Sequence, residues 1–200
     1  MNHVKISRKD AEKARHEIIL QTAMEVFSRY GYYETKVDEI ARKANVGKGT
    51  VYRHFENKQK LFLSVVEWGM ESLEAKTRSA TAGIIEARSH ILTSLRAYFE
   101  FFEYHKDFYR VLINEMSTFQ EQMEKRFLKK YFSHMDMLAD IIGKGIKTGE
   151  FKNVDPHQCA VLFMGICNSL IFDWFYHGMK ERLVNRVNII EEIFFNGILQ

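Results

Sequence analysis

A single proline (Pro156) and 11 glycines in 200 residues leave few places where the chain must break. That scarcity argues against a many-stranded sheet with its dense turns and favours long helices. Two cysteines exclude a disulfide scaffold. Cys159 and Cys167 are eight residues apart, which on one helix separates them by roughly 12 Å, beyond the reach of a bridge. The N-terminus, MNHVKISRKDAEKARHE, is charged throughout and lacks the apolar core of a signal peptide. The longest uncharged apolar run, Gln158 to Phe172, falls short of the ~20 residues of a membrane span. These absences lead to the expectation of a soluble, reducing, cytoplasmic protein with no membrane partner.

Charge of one sign is also scarce. The totals are 29 Lys+Arg and 26 Asp+Glu, a net of +3. The distribution is uneven, however. Residues 1–60 hold 13 basic and 8 acidic residues, a net of +5, and residues 61–200 hold 16 and 18, a net of −2. Of the 27 aromatics, 21 are in the second stretch. The chain reads as a basic head (1–60) on a faintly acidic, aromatic body (61–200).

Helical periodicity runs through both parts. Ile18, Ile19, Ala23, Val26, Phe27 and Tyr30 form one apolar stripe, which Gly31 should end. Val37, Ile40, Ala41 and Ala44 predict a short second helix, with Thr35 as N-cap, and Asn45 suits a tight turn after it. Val51 and Phe55 are the apolar pair of a third helix, and Asn57 should cap a fourth carrying Leu61, Phe62, Val65 and Trp68. Further on, Gly143, Gly145 and Gly149 are expected to end a helix, and Asp155-Pro156 to open the next. No alternating strand pattern competes. The expected fold class is all-α, about nine helices.

Two helices of roughly eight and seven residues, Thr35 to Arg42 and Lys48 to His54, joined by a short turn, match a helix-turn-helix. In KGTVYRHF, from Lys48, Val51 and Phe55 should point inward. At ~100° per residue, Gly49, Thr50 and Arg53 then face outward, with Tyr52 and His54 flanking the inward stripe, where phosphates would run. Gly49 permits close backbone approach. Lys48 can reach a base edge or a phosphate, Arg53 a base or solvent, and Lys58 stands where helix-end N–H groups suit a phosphate.

Residues Gly31 to Leu61, GYYETKVDEIARKANVGKGTVYRHFENKQKL, resemble the DNA-binding domain of the TetR/AcrR family of bacterial transcriptional repressors. The resemblance is carried by Phe27, Gly31, Thr35, Ile40-Ala41, Val46, Gly49-Thr50, Tyr52, His54-Phe55, Lys58 and Leu61. It implies an N-terminal reader of double-stranded operator DNA, followed by a ligand-binding and dimerisation domain. It also implies phosphate contacts from Thr35, Tyr52, His54 and Lys58 and base-edge contacts from Lys48 and Thr50. Lys36 departs from the family's usual second hydroxyl residue, Asn45 from its glycine and Gly47 from its serine cap. The resemblance further implies a homodimer through the last two helices, about 155–178 and 181–199. Its implied function is a repressor released from a pseudo-palindromic operator by a small effector, and the aromatic body suggests a hydrophobic or aromatic one such as a fatty-acyl compound, a drug or a bile-like amphiphile. An activator, or a response to a protein partner, is the alternative.

The stretch YFEFFEYHKDFY (Tyr98 to Tyr109) is either core or the wall of an apolar pocket. The candidate pocket residues are Phe102, Phe108, Tyr109, Met135, Phe163, Cys167 and Asn168. No enzyme or cofactor site assembles. GKGIKTG lacks P-loop spacing, His157-x-Cys159 lacks further zinc ligands, and Cys167-Asn168-Ser169 has no base at a nucleophile's spacing.

Overall fold

The computed structural model describes residues 7–115 and 129–198. Among them the chain is all-α, without a β-strand. The helices are α1 (Arg8–Glu34), α2 (Val37–Lys43), α3 (Lys48–His54), α4 (Lys58–Thr81), α5 (Ala87–Tyr104), α6 (Lys106–Glu115), α7 (Lys129–Lys147) and α8 (Pro156–Tyr176). A last run, α9 (183–198), begins as a 3₁₀ turn, takes one α turn, widens to a π turn over Glu191–Phe195 and closes on Asn196–Ile198. The chain divides into two compact units, Met1–Met70 with Lys106–Met123, and Glu71–His105 with Glu124–Gln200. The first unit therefore extends beyond the expected boundary at residue 60 and takes in α6, which packs on α1.

Several element ends follow from local chemistry. Gly31 bends α1 at φ 71°, ψ 174°, a backbone open in practice to glycine. Asn45, at φ 54°, closes α2 with the paired bonds of a Schellman turn, Val46 N–H to Ala41 and Asn45 N–H to Arg42. The Asn57 side chain accepts from the Lys60 amide at 2.8 Å and caps α4. Asp155 accepts from Gln158 at 2.8 Å, with Pro156 following at the first helical position.

Other ends differ from expectation. Lys36, not Thr35, is the N-cap of α2, without a side-chain cap bond. Gly143 and Gly145 lie inside α7, and Gly149, at φ 78°, is the residue that ends it. Gly145 serves packing instead: a Cβ there would overlap the Phe151 ring and press on Ala87. In the first unit Gly69 does the same for Phe108, whose ring occupies the place a Cβ would take. The aromatic stretch is interrupted at His105, where the backbone leaves the helical region between α5 and α6.

In the second unit α7 packs on α5 and α8, and the 3₁₀ turn of α9 packs on α5 and α8. Arg186 fastens α9 to the end of α8, donating to the Leu170 carbonyl at 2.9 Å, Asp173 at 2.7 Å and Glu181 at 3.0 Å. The Trp174 indole donates to the Glu181 carbonyl at 2.7 Å. With 21 residues, α8 has the length and composition of a membrane span, unlike the shorter uncharged run read from the sequence. A third of its most apolar window is buried inside the unit, and Asp173 near its end pairs with Arg186.

Candidate nucleic-acid interface

The recognition unit starts from the burial of its inner face. Val51 is 1% exposed and Phe55 4%, and with Val37, Ile40 and Ala41 of α2 and Ile19, Ala23, Val26 and Phe27 of α1 they form the head's core. Seating that stripe inward leaves Lys48, Gly49, Tyr52 and Arg53 exposed on α3 and Thr50 half-buried. Open space surrounds the position of a Cβ on Gly49, so the backbone there is available for close approach. Lys36, at the start of α2, is also exposed. The surface combines two ammonium groups, one guanidinium, a phenol and a hydroxyl on the outside of a helix-turn-helix. Those are the groups that serve phosphate and base-edge contacts.

Four residues have partners that the sequence did not disclose. Lys48 donates to Asp38 of α2 at 2.7 Å, and that carboxylate holds the ammonium above its ordinary pKa through the hydrogen bond and its charge. Asp38, in the first turn of α2, thus orients a candidate base reader. Thr35 is 2% exposed, and its hydroxyl donates to the Gly31 carbonyl at 2.6 Å. The side chain expected on a phosphate therefore faces inward. Lys58, also expected on a phosphate, donates to the carbonyls of Tyr32, Tyr33 and Thr35 at 2.9, 3.1 and 3.1 Å. Its ammonium is spent within the head.

His54 is the fourth. Its ring lies 5.5 Å from that of His16 on α1, and its Nε2 is buried without a hydrogen-bond partner. Burial, followed by the charges of His16 and Arg53, pushes the imidazole below its ordinary pKa, with Arg15 adding to this and Glu12 opposing it. In this arrangement the His54 ring has one nitrogen, Nε2, turned into the protein.

The candidate pocket residues divide between the units. Phe102, Met135, Phe163 and Cys167 are buried in the second unit, and burial pushes the Cys167 thiol far up, which makes it an inert apolar filler. Asn168, expected as the polar group of a pocket, instead lies on an exposed side of α8 and accepts from the Tyr98 hydroxyl at 3.1 Å. Phe108 and Tyr109 belong to the first unit, where Phe108 is fully buried and Tyr109 half-buried. Among the described residues no group of three or more His, Cys, Asp or Glu is placed to hold a metal.

Comparison with known proteins bears on this geometry. The family model for bacterial regulatory proteins of the tetR family matches residues 19–65, which hold the helix-turn-helix. A model for the tetracyclin repressor-like C-terminal domain matches residues 85–178. An HTH-type transcriptional regulator of Bacillus subtilis is 29% identical over 160 residues, covering 80% of this chain and 84% of its own. The fatty acid metabolism regulator protein of the same organism is 23% identical over 193 residues, covering 94% and 97%. The crystal structure of the transcriptional regulator FadR from B. subtilis in complex with stearoyl-CoA superposes with a TM-score of 0.82 at 21% identity, covering 91% of this chain and 98% of that one. With one family domain on the exposed recognition helix and the other on the helical body, in that order, the chain belongs to the TetR family of bacterial regulatory proteins and is a DNA-binding transcriptional regulator, not an enzyme.

Proposed function

We propose that the chain acts as a homodimeric, ligand-responsive repressor, bound to a pseudo-palindromic double-stranded operator and released by a small effector of the fatty-acyl class. The observation that carries the DNA reading is the exposed outer side of α3. Lys48, Gly49, Thr50, Tyr52 and Arg53 stand there, over an inner side that the head's core consumes. Lys36 adds a phosphate contact from the start of α2. Two heads of +5 give the dimer about +10 on the side directed at DNA. A chain with this role works in the cytoplasm, where the operator is.

The dimer reading is supported by the apolar side chains that α8 and α9 leave outside. Leu162 and Ile193 are each 64% exposed, with Phe172, Tyr176, Val161 and Ile189 alongside. A monomer would present all of them to water. The acyl reading is supported by the relatives: one is named for fatty acid metabolism, and one related structure holds stearoyl-CoA. The buried Phe102, Met135, Phe163 and Cys167 supply apolar surface of the kind an acyl chain needs.

The test begins with selection of binding sites from host DNA fragments. Fluorescence anisotropy then follows a selected operator with and without stearoyl-CoA. The expected result is nanomolar binding that weakens steeply with salt and is reversed by the acyl-CoA. Binding indifferent to salt would refute the electrostatic interface. Indifference to acyl-CoA would refute the effector class, and transcription that rises when the protein binds would replace repressor with activator.

A further inference from the structure

Lys58 is the first residue of α4, and an ammonium has three N–H donors. Three backbone carbonyls receive them: Tyr32 at 2.9 Å, Tyr33 at 3.1 Å and Thr35 at 3.1 Å. Beneath the ammonium, 4.5 Å away, is the ring of Tyr32, itself packed against Phe27 and Phe62 at 6.0 and 5.5 Å. The three carbonyls lie where the chain leaves α1 after the Gly31 bend and enters α2. A cation suits this place, because carbonyls left open at a helix end carry partial negative charge. The Thr35 hydroxyl, bonded to Gly31, tightens the same junction. No donor of Lys58 remains for a phosphate.

We infer that Lys58 is a positioning residue for DNA recognition, fixing the helix-turn-helix to the start of α4. The inference rests on the DNA reading proposed above. The path is short and physical. Lys58 holds the entry to α2. The buried Val37, Ile40 and Ala41 hold α2 in the core that also receives Val51 of α3, and the Lys48–Asp38 bond ties the first turn of α3 to α2. The angle at which α3 meets a groove thus depends on the three bonds at Lys58. Base-edge contacts need hydrogen-bond geometry, so a loosened junction weakens recognition without removing any phosphate contact.

The experiment compares Lys58→Met and Lys58→Arg with the wild-type chain. Operator affinity is measured across a salt series, and hydrogen exchange at residues 31–43 is followed in free protein. Lys58→Gln, whose amide keeps two N–H donors, replaces the methionine variant if that one does not fold. The expected results for Lys58→Met are a loss of roughly tenfold or more in affinity, an unchanged slope of log K on log salt, and faster exchange at the junction without DNA. Lys58→Arg should not restore affinity, because a planar fork cannot aim at three carbonyls around one point. A slope shallower by about 2 per dimer, one phosphate lost per head, with rescue by arginine, would overturn the inference in favour of a phosphate ligand. A lower melting temperature with unchanged affinity would reduce Lys58 to a purely structural role, and unchanged exchange would show that the carbonyl bonds do not hold the junction. A wild-type chain that binds no selected operator would defeat the DNA reading itself, and this role with it, whatever the exchange shows.

Discussion

Gly31→Ala tests whether the bend at the end of α1 is a conformational necessity. Gly31 has φ 71° and ψ 174°, a region essentially restricted to glycine, where a side chain costs about 1–3 kcal/mol. Alanine also removes unfolded-state entropy, which returns about 0.4–1 kcal/mol. Strain wins, and the net loss is about 1–2 kcal/mol. For a chain of this size that lowers the melting temperature by roughly 2–8 °C. The chain has two compact units, so the shift belongs to the transition of the unit that contains α1. Relaxation of the backbone into an allowed region would release the Thr35 hydroxyl from the Gly31 carbonyl and move the carbonyls that Lys58 holds. Operator affinity should therefore fall at temperatures where the variant is folded. Thermal unfolding by circular dichroism reads the first effect and anisotropy the second. Gly49→Ala is the control for the melting measurement alone: its Cβ meets open space and no positive φ is involved. Removing a helical glycine should leave stability equal or raise it by about 0.5–1 kcal/mol. If Gly31→Ala melts at or above the wild-type temperature, the account of the bend is wrong.

Three further outcomes follow from other parts of the molecule. Leu162→Glu on the outer side of α8 should yield monomers at concentrations where the wild type is a dimer. Full burial of a leucine from each protomer contributes about 3–6 kcal/mol per dimer, roughly 10²- to 10⁴-fold in Kd, and light scattering coupled to gel filtration that still finds a dimer would remove α8 from the interface. His54 has a depressed pKa in the fold, so the unfolded chain takes up its proton first as pH falls. Stability should be full above the unfolded value of about 6.5 and decline as pH falls through it toward the folded value. Melting curves between pH 8 and pH 5 should show a smaller decline in His54→Gln, the remainder including His105, which burial also depresses in the second unit; equal declines would rule out the His54 contribution. Gly145→Ala should destabilise the second unit by about 1–3 kcal/mol through overpacking, and Phe151→Leu should recover part of that loss. Purely additive effects in the double variant would mean that the two positions are not coupled.

The features legible in the sequence share a short range. Gly31, Asn45, Asn57 and Asp155-Pro156 act on the backbone within a few residues of themselves, so their types alone located the bend in α1 (which runs on to Glu34 instead of ending at Gly31), the end of α2 and the starts of α4 and α8. The inward stripe of Val51 and Phe55 was legible for the same reason, since a helix converts spacing into direction without reference to the rest of the chain. The helix-turn-helix and its outward residues followed. Gly145 shows the limit of such reasoning. A glycine read by itself signals a helix end, but here it lies inside α7 to admit the Phe151 ring. Asn168 shows another: its polarity suggested a pocket, and the packing of α8 turned it outward to the Tyr98 hydroxyl.

Composition, periodicity and one motif determined that this chain is helical, that a helix-turn-helix stands in its N-terminal part and that most of its aromatic residues come after it. Each of those conclusions depends on groups close together along the chain. Which polar groups of the head are left exposed and which are held by partners inside the protein was decided only by the tertiary structure. Lys58 reaches a carbonyl 26 residues earlier in the chain, Lys48 a carboxylate 10 residues earlier, and His54 the ring of His16. A hydrogen bond is specified by distance and direction in space, and folding sets both between residues that the sequence keeps apart.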